Sequence, residues 1–163
     1  MCGIAGYLIL DGTRPGFDPA PRLAAMGAML AHRGPDSRGE WSDGPVGLAH
    51  TRLKVIDLSS AADQPMQDAR GDLHVTFNGE IYNFRELRAE LEGRGHRFRT
   101  RSDTEVILAG YRAWGEDVLD RLRGMFAFAL WDGAARRRET WSASCPHSTP
   151  VGAGAALPAA SGA

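Results

Sequence analysis

The stretch MFAFALW, residues 125–131, constrains the fold of this 163-residue chain more than any other. It is apolar at odd and even positions alike, so as a strand it offers neither face to water. Such a strand is stable only when covered on both sides, which demands a layered domain. Upstream, LHVTFN alternates, with Leu73, Val75 and Phe77 on one face, and the Asn78-Gly79 pair that follows predicts a hairpin turn. GIAGYLIL reads as a short apolar strand, and VGLAHTRLKVIDL as a second strand region after a turn at Asp43-Gly44. Leu23, Met26 and Leu30 fall at helical spacing, and HRGP ends that helix. Asn83 stands three residues before Glu86, ahead of Phe84, Leu87 and Leu91. Ser102 stands likewise before Glu105, ahead of Val106, Ile107, Tyr111 and Trp114, with Gly115 as the stop. Both patterns predict capped helices. Strands interleaved with helices, without regular βαβ alternation, point to an α+β layered sandwich.

The bulk composition narrows the partners. Lys and Arg together number 19 against 20 Asp and Glu, so no global field favours nucleic acid or a membrane surface. The apolar run Ile4–Leu10 is too short to span a bilayer. Two cysteines, Cys2 and Cys145, make neither a disulfide framework nor a zinc spacing, and no metal site is expected. A free thiol near the terminus fits a reducing, cytoplasmic compartment.

From Gly133 onward the character changes: Ala, Gly, Ser and Pro fill 20 of the 31 positions. Trp141, Val151 and Leu157 are the large apolar residues left there. A segment so poor in buriable surface predicts disorder over 133–163, leaving residues 1–132 as the folded part.

Cys2 stands apart from this framework. If Met1 is removed, Cys2 carries a thiol and a free α-amine together. A thiol titrates near ~8.5 and an α-amine near ~7.7–8.0, so the amine is suited to take the thiol's proton. The alternative is a small residue that merely starts a strand. Other stretches have equally plain alternatives. AHRGPDSRGEW could be only a turn, AHTRLKVIDLS a strand with Arg52 in solvent, FNGEIYN a hairpin, and RSDTEVIL an acidic helix start.

Their joint occurrence in order changes this reading. Cys2-Gly3, HRGPD, LAHTRLKVIDLS, DQPM, FNGEIYNFRELRAEL, SDTEVIL and LRGMFAFALWD together resemble the N-terminal glutaminase domain of the glutamine-hydrolysing asparagine synthetases. These belong to the class II (N-terminal nucleophile, Ntn) glutamine amidotransferases. The resemblance implies an αββα sandwich of the Ntn hydrolase type. It implies that Cys2 attacks the side-chain amide of L-glutamine and that glutamate and ammonia are released through a thioester. Asn78 and the Gly79 N–H match the oxyanion hole. Arg52 matches the arginine that receives the α-carboxylate, and Glu80 and Asp103 the carboxylates that receive the α-ammonium. Leu53 and Val55 would line the same pocket. Arg33 and Asp36 fall in the family's HRGPD motif without an assigned role.

Family members continue into an ATP-dependent synthetase domain, which no stretch of this chain resembles. The resemblance therefore places ATP and magnesium on that absent domain and no cofactor on this chain, with a synthetase domain or subunit as the expected partner. The fold is expected to be incomplete at its C-terminus, the sequence after 132 to be a truncation or frameshift product, and the stability to be low. A non-catalytic fragment binding an intact amidotransferase, and an Ntn hydrolase or amidotransferase serving another acceptor, are the competing readings.

Overall fold

The computed structural model describes residues 1–135 with their side chains and the backbone of 137–143. Two antiparallel sheets face each other. The first has the order β1-β3-β2, from β1 (Gly3–Leu8), β2 (Ser37–Asp43) and β3 (Val46–Arg52). The second has the order β4-β5-β6-β7, from β4 (Met66–Gln67), β5 (Leu73–Ile81), β6 (Gly124–Asp132) and β7 (Arg137–Ala143). Helix α1 (Pro19–Met29) packs outside the first sheet. Helices α2 (Phe84–Gly93), α3 (Thr104–Trp114) and the short α4 (Val118–Arg121) lie outside the second. The layers run helix, sheet, sheet, helix, as the resemblance implies.

The periodicities explain which face goes where. Leu73, Val75 and Phe77 of β5 join Phe126, Phe128 and Leu130 of β6 against Leu87, Leu91, Val106 and Ile107 of the helices. The other face of each strand meets the opposite sheet. His74 of β5 stacks on Trp41 of β2 with ring centroids 3.8 Å apart, and Trp131 of β6 packs with Val46 and Leu48 of β3. From Phe126 to Trp131 this stretch is thus covered by helices on one side and by the first sheet on the other, while Met125 is 50% exposed. β3, central in its sheet, is buried at every position. An apolar groove of about 300 Å³ opens between β1 and β6, lined by Ile4, Leu8, Leu48, Thr76, Ala129 and Trp131.

Three expectations need correction. Asn78-Gly79 is not a hairpin turn: β5 runs straight through it to Ile81, with Gly79 opposite Phe126. The hairpin signal fails because this end of β5 pairs with β6, which arrives only after the helices. Glycine is needed here for a different reason. Its φ is +152°, and a Cβ would lie 2.2 Å from the Met125 carbonyl oxygen. Gly79→Ala is expected to destabilise the domain by about 1–3 kcal/mol, measured by denaturant unfolding.

Asn83 does precede α2 but does not cap it with its side chain. Its amide is committed elsewhere, donating to the Arg121 carbonyl (2.9 Å) and accepting from the Arg123 N–H (2.9 Å). At α3 the Ser102 hydroxyl accepts from the Thr104 N–H (3.2 Å), whereas Glu105 reaches upstream to the N–H groups of Arg99 and Thr100 (2.9 and 2.8 Å). Gly115, at φ +62°, ends that helix as expected.

The third correction concerns the C-terminal boundary. Folded structure does not stop at residue 132, because β7 pairs with β6 from Asp132↔Arg137 to Phe126↔Ala143. An edge strand needs backbone pairing more than apolar side chains, so the low hydrophobicity of RRETWSA did not forbid it. Residues 133–135 form the turn between β6 and β7, and residues 136 and 144–163 of the expected disordered segment lie outside the described residues.

Candidate active site

The β1–β3 register puts Gly3 opposite Thr51, which carries Cys2 and Arg52 to the same end of the first sheet. The facing end of β5 supplies Asn78, Gly79 and Glu80, and the start of α3 supplies Asp103. All of these line one cleft of about 390 Å³, together with Leu53 and Val55. Every residue expected at the site is therefore brought together.

Cys2 is fixed from two sides. The Leu53 N–H approaches its Sγ at 3.4 Å, and Arg33 Nε donates to its carbonyl at 3.0 Å. Asp36 holds the segment opposite, accepting from the Lys54 N–H at 2.8 Å through Oδ2, while its own N–H donates to the Arg52 carbonyl at 3.0 Å. The two HRGPD residues without an assigned role thus hold the backbone on either side of the thiol. Gly34 between them lies so close to β3 that a Cβ would meet the Thr51 carbonyl at 2.3 Å.

Arg52 is 4% exposed, not solvated. Its Nη1 donates to Asp63 and to the Ser59 carbonyl, both at 2.8 Å. Its Nη2 donates to the carbonyls of Ile56 (3.3 Å) and Asp57. Among the described residues, Nε has no partner. A carboxylate approaching Nε would leave both the Asp63 pair and the loop carbonyls in place.

Asp103 is buried, with Oδ2 accepting from the Ile81 N–H at 3.0 Å. No described cation pairs with it, and burial pushes its carboxyl above the usual range. The Asn78 side-chain amide has no described partner and is half-buried at the cleft. Glu80 is exposed at the rim, and Val55 is 73% exposed. Behind the site His50 lies buried between the sheets, donating from Nε2 to the Phe77 carbonyl (3.1 Å). Burial lowers it to about 4, so it is neutral at pH 7.

Gln64, Ser102, Thr104 and Met125 also line the cleft and were not expected. Gln64 bridges its two walls, accepting from the Phe77 N–H (2.6 Å) and donating to Thr104 Oγ1 (3.3 Å). DQPM contained the only sequence signal for it, without periodicity or charge to assign a role. No group of three or more His, Cys, Asp and Glu side chains suited to a metal gathers among the described residues.

The layering is that of an Ntn-type αββα sandwich. Among solved structures, the chain is similar to glutamine phosphoribosylpyrophosphate amidotransferase from B. subtilis, with TM-score 0.64 and 21% identity, over 80% of this chain and 35% of that one. The family model described as a glutamine amidotransferase domain matches residues 1–140, and the chain belongs to that family. It is 43% identical over 132 residues to asparagine synthetase [glutamine-hydrolyzing] 1 of Bacillus subtilis, covering 81% of this chain and 21% of that protein. A putative asparagine synthetase of Mycobacterium bovis is 42% identical over 149 residues, covering 83% and 23% respectively. Amidase chry2 of Gibberella zeae is 39% identical over 145 residues, covering 81% and 21%. The chain spans about a fifth of the length of these relatives.

Proposed function

We propose that this domain hydrolyses L-glutamine to glutamate and ammonia, and that it is the ammonia-supplying part of an asparagine synthase. One observation carries the reading: a thiol, an amide with no partner and a buried carboxylate with no cation among the described residues converge on one cleft sized for an amino acid. Asp103 and Glu80 receive the α-ammonium, and Nε of Arg52 donates to the α-carboxylate. The side-chain amide then lies between Cys2 and Asn78. Once Met1 is removed, the α-amine of Cys2 takes the thiol's proton as sulfur attacks the amide carbon. The Asn78 amide and the Gly79 N–H stabilise the oxyanion. As the intermediate collapses, the C–N bond breaks and the amine proton passes to the departing nitrogen, which leaves as ammonia. Water then attacks the γ-glutamyl thioester, restoring the thiol and releasing glutamate.

Ammonia is useful only to an acceptor that has been activated, so the partner is an ATP-dependent synthetase domain or subunit. No helix among the described residues is long and apolar enough to cross a membrane. A free thiol nucleophile suits the reducing cytoplasm, where we place the domain.

The test pairs intact mass spectrometry with assays of glutamate and ammonia. Release of both in equal amounts by chain lacking Met1, abolished in Cys2→Ala, is the expected result. Absence of Cys2-dependent release overturns the activity. Equal turnover by chain retaining Met1 overturns the α-amine as base.

A further inference from the structure

Two walls of the cleft are tied together by Asp57, a residue outside the expected site. Asp57 lies in the loop after β3 and is the one described non-glycine residue with φ in the left-handed region, at +56°. That conformation is strained for a residue with a side chain, though Asp tolerates it better than most. The bonds around it explain why it persists. Oδ1 accepts from the Ser59 N–H (2.9 Å) and the Ser59 hydroxyl (2.6 Å). Oδ2 accepts from the Arg101 N–H (2.7 Å), 44 residues away. The main-chain carbonyl accepts from Arg52 Nη2. The hydroxyl of Ser59 and then the Arg101 N–H hold the Asp57 carboxyl down to about 2, so it stays ionised at any working pH.

One residue therefore holds the guanidinium of Arg52 through its carbonyl and the turn leading to Asp103 through its carboxylate. We propose that Asp57 is a positioning residue for amino-acid recognition, fixing the separation between Arg52 and Asp103 by tying the Arg52 loop to the Arg101–Asp103 turn. This rests on the reading of the cleft as a glutamine site. Asp57 itself touches no substrate atom in that reading.

A fixed separation matters only to a ligand that must satisfy both charges at once. L-glutamine carries both, glutaramate lacks the α-amine, and 4-aminobutanamide lacks the carboxylate. Loosening the tie should therefore penalise L-glutamine and spare the two amides with a single charged end. A general loss of structure would penalise all three.

The experiment measures binding of these three amides to the full chain carrying Cys2→Ala, alone and combined with Asp57→Asn or Asp57→Gly. Both substitutions tolerate positive φ, and thermal melts establish that each variant is folded. L-glutamine is expected to bind about tenfold more weakly to each Asp57 variant, with the single-ended amides changed by less than about twofold. In the chain retaining Cys2, the same variants should raise KM for L-glutamine and leave kcat within about twofold. Equal losses for all three amides, or unchanged L-glutamine binding, overturn the proposal. If Cys2→Ala protein binds L-glutamine but the parent chain releases no ammonia, hydrolysis fails as a reading while the role of Asp57 is still decided by binding. If L-glutamine does not bind at all, both fall.

Discussion

Asn78→Ala is expected to lower kcat for glutamine hydrolysis about 10²–10³-fold, equivalent to about 2.7–4 kcal/mol of barrier, with KM little changed. The amide has no described partner in the resting cleft, so the domain gains nothing from it until charge appears on the substrate oxygen. Its backbone is held independently of its side chain, by the pairing of Asn78 with Ala127 across β5 and β6. The substitution therefore removes a donor without moving the strand. Both formation and hydrolysis of the thioester pass through an oxyanion, so both halves of the cycle should slow. Asn78→Asp is a useful companion, since it keeps the shape but turns the donor into an anion. It should be at least as slow. A rise in KM with kcat preserved would mean that Asn78 binds the ground-state amide, and the oxyanion assignment would be lost.

The contrast between Asn78 and its surroundings shows what the sequence could carry. Strand alternation in LHVTFN and the two-faced apolarity of β6 report burial directly, because each apolar side chain must find a layer. A layered domain with β6 covered on both faces was legible for that reason, whereas the αββα order came from the resemblance. Asn78-Gly79 misled because the same dipeptide serves two physical needs. A tight hairpin uses it for positive φ in a turn. Here Gly79 uses positive φ inside a strand, where β6 leaves no room for a Cβ. Local sequence does not say which strand will arrive beside it.

The site was legible through ordered motifs rather than through composition. Cys2, Arg52, Asn78 and Asp103 meet because of the β1–β3 register and the facing ends of the sheets, which no local signal encodes. Gln64 and Asp57 escaped notice because their work is done through backbone partners far along the chain. Arg52 shows the opposite effect. Its type suggested a free guanidinium, whereas the structure gives four of its N–H groups to Asp63 and loop carbonyls. A buried arginine must satisfy its donors before any substrate arrives.

Asp103→Asn should separate stability from recognition, raising one and weakening the other. A carboxyl raised by burial binds its proton more tightly in the folded protein than in the unfolded chain. Its contribution to stability is therefore complete below the ordinary Asp range and is lost as pH climbs through the raised value. At neutral pH the buried charge, with no described cation beside it, is a cost to the folded domain. Asparagine removes that charge and keeps an oxygen to accept from the Ile81 N–H. The ligand-free Asp103→Asn protein should accordingly melt higher than the parent at pH 7, and the difference should vanish towards pH 3. Binding should move the other way. The α-ammonium of glutamine loses its buried counter-charge, at a cost of about 2–5 kcal/mol in affinity. In the parent protein the same logic makes L-glutamine binding weaken on acidification, starting at a higher pH than an exposed aspartate would give. Calorimetric titrations and melts across that range check both halves. A variant that melts lower at pH 7 would show that the protein itself already compensates the charge. Unchanged glutamine affinity would place the ammonium elsewhere, leaving Glu80 at the rim to receive it.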